Sequence, residues 1–338
     1  MSRYGQRTRL TGGSEANSIN KWYGGGFVNV RGSRGIIFGG ATAASYTDTI
    51  QYNTIASTGN YTTFGTLSAI RYAGGAGASS TRGIYTSGFA GVYPASTQIQ
   101  YITIATTGNA TSFGSYGGGS VFAISQCSND TRAVFAGGYD NGGGGYLATS
   151  HYVTIATTGN STSFGTLFRG QTMFGGGNST TRGVNFGGDS GGCGNYTNSI
   201  YYITIATTGN WQSFGTLSQT LTTATGNSSS TRVVIAQGQY AACTSPYYTS
   251  NMEYITTATT GNGTSFGTLS RIGGQAAGVD NGILGNIVAG YTTSGSAISD
   301  ATIQITIAST GNGTTMSGLT TVAITSANGT SNCHGGLA

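Results

Sequence analysis

Hydrophobic and polar residues alternate in a segment that recurs six times along the chain. In the copy at residues 101–109, Ile102 and Ile104 point to one side of an extended strand while Thr103 and Ala105 point to the other. The β-branched residues of this segment favour an extended backbone. Phe113 then follows on a return segment, so each copy predicts two neighbouring antiparallel strands.

A Thr-Gly-Asn step joins the two strands of each copy. Glycine and asparagine both tolerate a positive φ, so the step predicts a tight hairpin turn. The copies lie roughly fifty residues apart, a spacing that fits a four-stranded propeller blade better than a helical solenoid. The predicted turn glycines are Gly59, Gly108, Gly159, Gly209, Gly261 and Gly311.

A second recurring element begins with an arginine, continues as a short hydrophobic strand and ends in a glycine pair, as in residues 131–138. The sixth copy lacks the arginine. We expect each guanidinium to join its module to the next through backbone carbonyls, because a residue used once per module suggests a task performed once per module. The alternative is an anion held by a ring of guanidinium groups. The arginines are Arg34, Arg82, Arg132, Arg182 and Arg232.

The hydrophobic strand with its Gly-Gly pair resembles the kelch type of propeller repeat. This resemblance implies an all-β fold in which residues 21–338 form a six-bladed β-propeller. Residues 26–31 predict a further short strand, and the chain restarts the arginine element at residues 331–336. We therefore expect the N- and C-terminal strands to pair within one blade and close the ring, because closure satisfies sheet edges that would otherwise be exposed.

The composition supports an ordered β protein in spite of its glycine content. The chain of 338 residues contains 61 glycines and 2 prolines, only 6% of its residues are charged, and 37% are hydrophobic. Low charge with a regular hydrophobic period argues against disorder. No apolar window is long enough to predict a membrane-spanning helix.

Basic residues are concentrated at the start of the chain. Residues 1–20 carry Arg3, Arg7 and Arg9 and no apolar stretch of the secretory type, so we predict a separate arm and no signal peptide. Two interpretations are open: a solvated tail, or an arm that docks on a neighbouring subunit or another acidic surface. The absence of a basic stripe interleaved with aromatic residues argues against direct nucleic-acid binding.

No catalytic or metal-binding constellation is evident in the sequence. The two histidines, His151 and His334, belong to different elements, and the eight carboxylates form no paired motif. Cys193 and Cys243 occupy matching places in neighbouring copies, but spacing does not establish a disulfide, and we expect free thiols. We therefore predict no enzymatic activity, no metal and no cofactor.

The loops that follow the glycine pairs vary in length and are rich in tyrosine. Variable loops on a rigid scaffold are typical of binding surfaces, although these tyrosines could instead cap the underlying sheets. The residue just past each Thr-Gly-Asn step also varies, and Trp211 is the most conspicuous candidate for an exposed aromatic side chain. The predicted surface-contact residues are Tyr93, Tyr139, Tyr146, Tyr196, Trp211, Tyr247 and Tyr248.

Residues 154–167 resemble kelch-like repeats found in predicted virion proteins of marine and other aquatic tailed phages. The resemblance covers roughly residues 30–330 and implies a non-enzymatic structural protein of a virus particle, in a fibre, knob, tail or capsid decoration. Such a protein would be assembled in the host cytoplasm as part of a multimeric assembly. Its arm would contact other virion proteins, and its loops would contact a glycan or protein of the host surface. The alternatives are a stand-alone carbohydrate-binding lectin and, third, a glycan-cleaving enzyme.

Overall fold

The computed structural model describes residues 33–91, 94–173, 175–192, 195–240, 248–292 and 297–337. These residues form β-strands joined by turns and loops, and they contain no helix. A helix long and apolar enough to cross a membrane is therefore not found in this part of the chain. The all-β class predicted from the alternating pattern is confirmed.

The strands are numbered in chain order. The first fourteen are β1 (Arg34–Ala41), β2 (Tyr46–Thr54), β3 (Thr62–Thr66), β4 (Gly75–Ala78), β5 (Arg82–Thr86), β6 (Gln98–Thr103), β7 (Thr111–Ser115), β8 (Val121–Phe122), β9 (Ser125–Ser128), β10 (Arg132–Ala136), β11 (Tyr139–Asp140), β12 (Gly145–Tyr146), β13 (Thr149–Thr154) and β14 (Thr162–Thr166). The others are β15 (Gly175–Asn178), β16 (Arg182–Phe186), β17 (Ser199–Thr204), β18 (Gln212–Thr216), β19 (Thr225–Ser228), β20 (Arg232–Gln239), β21 (Tyr248–Thr256), β22 (Thr264–Gly274), β23 (Ala277–Asp280), β24 (Leu284–Thr292), β25 (Ala297–Thr306), β26 (Thr314–Leu319) and β27 (Asn328–Ser331).

These strands form six antiparallel modules of four strands each. In the order of their hydrogen bonding, module one is β27-β1-β2-β3, module two is β4 to β7, module three is β9-β10-β13-β14, module four is β15 to β18, module five is β19 to β22, and module six is β23 to β26. Strand β22 also pairs with β24, and β8, β11 and β12 form a small additional sheet. The arginine element is the second strand of a module, and the alternating segment supplies the third and fourth strands.

The last strand of the chain completes the module that begins it. Strand β27 pairs with β1, with Gly35 opposite Ser331 and Phe38 opposite Asn328. The predicted strand at residues 26–31 lies outside the described residues. The expectation that residues 331–336 restart an arginine strand is wrong, because the strand ends at Ser331 and the following residues turn inward across the ends of the other first strands.

The core consists of apolar clusters that lie between neighbouring modules. Between modules one and two, Ile36 and Phe38 pack with Tyr85 and Ile104. Five further clusters bury equivalent residues between the remaining pairs, and one of them joins module six to module one. Each module therefore buries its apolar faces only against its neighbours, as expected of a repeat protein.

Six residues that precede the first strands form a closed cycle of backbone hydrogen bonds. Each N–H donates to the carbonyl of the equivalent residue one module earlier, and Ala73 donates to Ser326. All six have a positive φ although none is glycine. Here they are called the φ ring: Ala73, Ala123, Met173, Thr223, Gln275 and Ser326. Each first strand also contacts the next, and β27 contacts β4.

The Thr-Gly-Asn step is a docking segment, and the tight hairpin turn predicted for it is wrong. In module two, residues 104–110 join β6 to β7, and the turn hydrogen bond runs from the Thr106 N–H to the Thr103 carbonyl, ahead of the glycine. None of these six glycines has a positive φ. Gly159 instead donates its N–H to the Phe113 carbonyl of the preceding module at 2.8 Å, while Asn160 accepts from the Ser115 N–H at 2.9 Å. The step therefore pairs its module with the previous one.

Candidate functional site

The modules present two opposite faces that differ in their chemistry. The end at which the second strands begin carries the five arginines and is called the arginine face. The opposite end carries the φ ring and the loops that follow the second strands, and it is called the tyrosine face. Ser33 and Asn332 both lie at the arginine face, where Asn332 Oδ1 accepts from the Arg34 N–H at 2.8 Å. The segment that precedes Ser33 therefore joins the body at this face.

Each arginine donates hydrogen bonds to backbone carbonyls of the following module. Arg34 reaches Ile104, Arg82 reaches Ile155 and Ala156, Arg132 reaches Ile205 and Ala206, Arg182 reaches Thr257 and Ala258, and Arg232 reaches Ile307 and Ala308, at 2.6–3.3 Å. Every guanidinium also lies over a tyrosine ring of its own module, 4.1–4.8 Å from the ring centroid. These contacts join neighbouring modules through Nη1 of each guanidinium.

The sixth module makes the same kind of contact with amide groups. Leu284 pairs with Thr306, so it occupies the arginine position, and Gln304 takes the place of the tyrosine. Gln304 Nε2 donates to the Ile55 carbonyl of module one at 3.1 Å, and Asn286 Nδ2 approaches the same oxygen at 3.4 Å. The contact from module six to module one is called the seam. At the seam, two neutral amide groups take the place of the one charged guanidinium found in the other contacts.

The C-terminal residues cross the arginine-face end of the space between the first strands. This space, called the channel, has a volume of about 130 Å³ and is lined by first strands of all six modules. His334 Nε2 donates to the Ala78 carbonyl at 2.8 Å, and its Nδ1 accepts from the Gly336 N–H at 3.1 Å. Gly335 donates to Asp280 Oδ1 at 3.2 Å. The segment therefore contacts several modules at once.

Burial sets the protonation preferences of the two titratable groups at this end of the channel. It lowers the pKa of His334 to about 4, which favours the neutral imidazole that the hydrogen bonds require. It also raises the pKa of Asp280 to about 7, although the carboxylate accepts N–H bonds from Ser228 and Gly335. Both groups act in packing and hydrogen bonding, and their surroundings leave little room for a substrate.

Aromatic side chains form a continuous series across the tyrosine face of modules one to three. Successive ring centroids lie 4.5–5.7 Å apart, within the usual range for interacting aromatic pairs. Phe89 is buried, and the other five rings are partly exposed. This series is called the aromatic arc: Tyr46, Tyr72, Phe89, Phe122, Tyr139 and Tyr146.

The predicted surface residues divide into partly exposed and buried side chains. Tyr139, Tyr146 and Tyr196 are partly exposed, and burial together with the Asp189 carboxylate raises the pKa of Tyr146 and Tyr196. Tyr248 is only 8% exposed and stacks on Tyr291, so its assignment to the surface is wrong. The predicted residues Tyr93 and Tyr247 lie outside the described residues, as do Arg3, Arg7, Arg9, Cys193 and Cys243.

Trp211 is also wrongly predicted to be exposed, since only 2% of its surface is accessible. Its ring packs with Phe164 and Leu167 of the preceding module, and its Nε1 donates to Ser150 Oγ at 3.3 Å. The Thr-Gly-Asn segment contacts that module, so the residue that follows the segment is buried between the two modules. Tyr61, at the matching position, is buried for the same reason.

A shallow cavity opens at the tyrosine-face end of the channel. It has a volume of about 300 Å³ and is called the mouth. The φ ring surrounds it together with Tyr72 and Phe122, and Asn328 lies deeper, where the mouth meets the channel. The fourteen residues that line the mouth include no charged side chain. The sequence does not predict the mouth. The φ-ring residues belong to five different types, and what they have in common is their backbone conformation.

The fold and these two faces define an all-β repeat protein whose modules are joined through repeated side chains at one end and through the backbone of the φ ring at the other. Among the described residues, no three His, Cys, Asp or Glu side chains lie close enough together to hold a metal ion. No protein-family model matches the chain, and no curated protein matches it.

Proposed function

We propose that the chain is a six-bladed β-propeller that serves as a non-enzymatic binding scaffold, with the tyrosine face as its contact surface. The cycle of hydrogen bonds in the φ ring supports the propeller, because each module donates to the one before it and the first donates to the sixth. The pairing of β27 with β1 supports closure in the same way. Closure would leave no module with an unpaired neighbour.

The observation that carries the binding function is the separation of the two faces. On the arginine face, guanidinium groups and the C-terminal segment take part in contacts within the protein. On the tyrosine face, the partly exposed rings of Tyr72 and Phe122 line one side of an open mouth. Aromatic side chains are enriched where proteins bind partners, because they offer a large contact area at low entropic cost.

For the biological setting, we propose a structural component of a virus particle, as the resemblance of its repeats implies. The N-terminal segment joins the body at the arginine face, so an arm at residues 1–20 would attach the domain to other virion proteins while the tyrosine face points away. The domain would then display its loops to a host glycan or protein. A free lectin with the same contact surface is the second candidate, favoured by the uncharged mouth.

The contact function is tested by removing aromatic groups from the arc. A chain carrying both Tyr139→Ser and Tyr146→Ser is expected to lose binding of the labelled protein to host cells at least tenfold while it stays folded. Phe168→Ser is the matched control, because this ring is 63% exposed and lies outside the arc. Equal binding by the double variant and the control would refute the aromatic arc as the contact surface.

The setting is tested by deleting residues 1–20. Loss of incorporation into purified particles, with an unchanged circular dichroism spectrum, is the expected result for a virion component with an anchoring arm. If the shortened chain is incorporated as well as the full chain, the anchoring role is refuted. Retained sugar binding by a protein that never enters particles would favour the lectin.

A further inference from the structure

The mouth has the size of a pocket for one small ring. Its volume of about 300 Å³ lies at the lower end of the range for ligand pockets. It narrows into the channel, which measures about 130 Å³ and is crossed at its far end by the C-terminal segment. A ligand would therefore enter from the tyrosine face and stop near Asn328.

The walls of the mouth are apolar on one side and polar on the other. The apolar side consists of Tyr72, Phe122 and Met173. These residues come from modules one to three and from the turns that follow those modules. Thr223, Gln275 and Ser326 occupy the equivalent places around the other half of the φ ring. A fitting ligand must therefore present one apolar surface and one surface rich in hydroxyl groups.

Gln275 offers a hydrogen-bond donor whose direction is fixed. Its Oε1 accepts from Ser326 Oγ at 2.5 Å and from Thr325 Oγ1 at 3.3 Å. These two bonds hold the amide plane of a residue that lines the mouth, and Nε2 is the donor that this residue can offer to a ligand there. A polar group oriented by its neighbours before binding loses little entropy when the ligand arrives.

The lining of the mouth contains no charged side chain, and this favours a neutral ligand over an anionic or cationic one. An anionic or cationic ligand would lose its hydration in the mouth without gaining an ion pair, which is costly. A neutral ligand that carries hydroxyl groups meets aromatic rings, aliphatic side chains, hydroxyls and amides.

We propose that the mouth binds one ring of a neutral saccharide. The carbon face of the sugar packs against Phe122 and Tyr72, and its hydroxyl groups accept from Gln275 Nε2. The aromatic arc leads away from the mouth through Tyr72 and Phe122, so the next sugars of a longer glycan would lie along it. This inference rests on the proposed contact function, because it names the ligand class of the same face.

The test is a titration of the full chain with methyl glycosides of glucose, galactose and mannose and with N-acetylglucosamine. Ligand-observed NMR is suited to the weak binding expected for a single ring, with dissociation constants on the order of 1 mM. Saturation of aromatic protein protons is expected to pass to the ring protons of at least one of these sugars. If none of them binds at concentrations well above that value, the saccharide assignment is overturned.

Two variants then locate the site. Gln275→Met removes the donor and is expected to weaken binding about tenfold. Methionine suits this position, because Met173 adopts the same backbone conformation at its place in the φ ring. Phe122→Leu keeps an apolar side chain but removes the aromatic face, and we expect about fivefold weaker binding.

Gln212→Met is the matched control, since Gln212 is exposed at the start of β18 on the arginine face. Unchanged affinity in both mouth variants would place the sugar elsewhere and overturn the proposal, and thermal unfolding shows whether either variant has lost its fold. Failure of all sugars to bind, combined with loss of host-cell binding in the Tyr139→Ser and Tyr146→Ser chain, would retain the contact function and assign a protein partner. Retention of binding in that chain would refute the contact function itself.

Discussion

On the arginine face, five modules make the same contact with the same pair of side chains, and the sixth makes it with amides. On the tyrosine face, the equivalent places hold five residue types in six modules, as in the φ ring of Ala73, Ala123, Met173, Thr223, Gln275 and Ser326. Arginine-face side chains are held by backbone atoms, whereas several tyrosine-face rings keep partly exposed surfaces. The arginine face therefore requires a particular residue type at each contact, whereas the tyrosine face requires mainly a particular backbone conformation.

This difference separates stability from recognition. A contact made through a repeated side chain needs a replacement donor when that side chain changes, as the amides of Gln304 and Asn286 provide in module six. The arginine face therefore cannot vary freely. The φ ring is joined through backbone N–H and carbonyl groups, which every residue except proline provides. Side chains around the mouth can therefore change without breaking the cycle, and this freedom suits a surface whose task is to bind.

The largest loss of stability is expected from substituting a glycine that contacts the Thr-Gly-Asn step of the next module. A Cβ added at Gly165 would lie 2.1 Å from the Gly209 carbonyl oxygen of the next module, a backbone atom that cannot move aside. Gly165→Ala is therefore expected to reduce the free energy of unfolding by about 3 kcal/mol or more, measured by urea denaturation.

The other glycine of this contact is the matched control. A Cβ at Gly209 meets nothing within 4 Å, and its φ is not positive. Gly209→Ala is expected to change stability by less than about 1 kcal/mol, because alanine fits there and restricts the unfolded chain. Equal losses in the two variants would contradict the docking geometry.

The next effect comes from the arginine contact itself. Arg132 donates to the carbonyls of Ile205 and Ala206 and lies 4.4 Å from the centroid of the Tyr152 ring. Arg132→Met keeps much of the aliphatic chain but removes these interactions, and we expect a loss of about 2 kcal/mol. Arg169→Met, at an exposed position, should alter the free energy of unfolding by less than about 0.5 kcal/mol.

The strands were predictable because their signals are local and repeated. The alternation around Ile102 and Ile104 and the arginine element at residues 131–138 mark the second to fourth strands of their modules, and both elements recur along the chain. Trp211 was misjudged because burial depends on the neighbouring module, which no single copy reveals. The role of Gly159 was misjudged for the same reason: its partner, Phe113, belongs to the previous copy.

The candidate site was less accessible to sequence reasoning. Tyr139 and Tyr146 could be assigned to a variable loop, but the mouth depends on six residues of five types whose shared feature is a positive φ. His334 gave no signal either, since the Ala78 carbonyl and the side chains of Ser128 and Asn178, which it contacts, lie far from it in the sequence. Contacts between residues that are far apart in the chain leave no recognisable pattern in the order of residues.

The channel end on the arginine face should respond to pH through His334. Burial lowers its pKa from 6.5 to about 4, so the unfolded chain takes up a proton at a higher pH than the folded protein does. The stability that His334 contributes is therefore expected to fall by about 1.4 kcal/mol for each pH unit below 6.5 and to stop falling near pH 4. Urea denaturation across this pH range measures the slope as a difference between the parent chain and a His334 variant.

His334→Gln isolates this contribution, because glutamine does not titrate. Asp280, whose pKa burial raises to about 7, contributes with the opposite sign, and it is present in both chains, so its contribution largely cancels in their difference. The stability advantage of the parent chain over the variant should shrink as the pH falls below 6.5. A difference that does not depend on pH would show that His334 is not held neutral in the folded state.

The smallest effect is expected at the seam, where the comparison between the modules can be sharpened most. Gln304→Ala removes the bond from Nε2 to the Ile55 carbonyl, but Asn286 Nδ2 remains 3.4 Å from that oxygen. We therefore expect a loss of only about 1 kcal/mol.

If the seam has the geometry of the other contacts, a chain with both Leu284→Arg and Gln304→Tyr should unfold at a higher urea concentration than Gln304→Ala, because the new guanidinium can reach Ile55 over the new ring. A double variant less stable than Gln304→Ala would mean that module six approaches module one differently from the way the other modules meet.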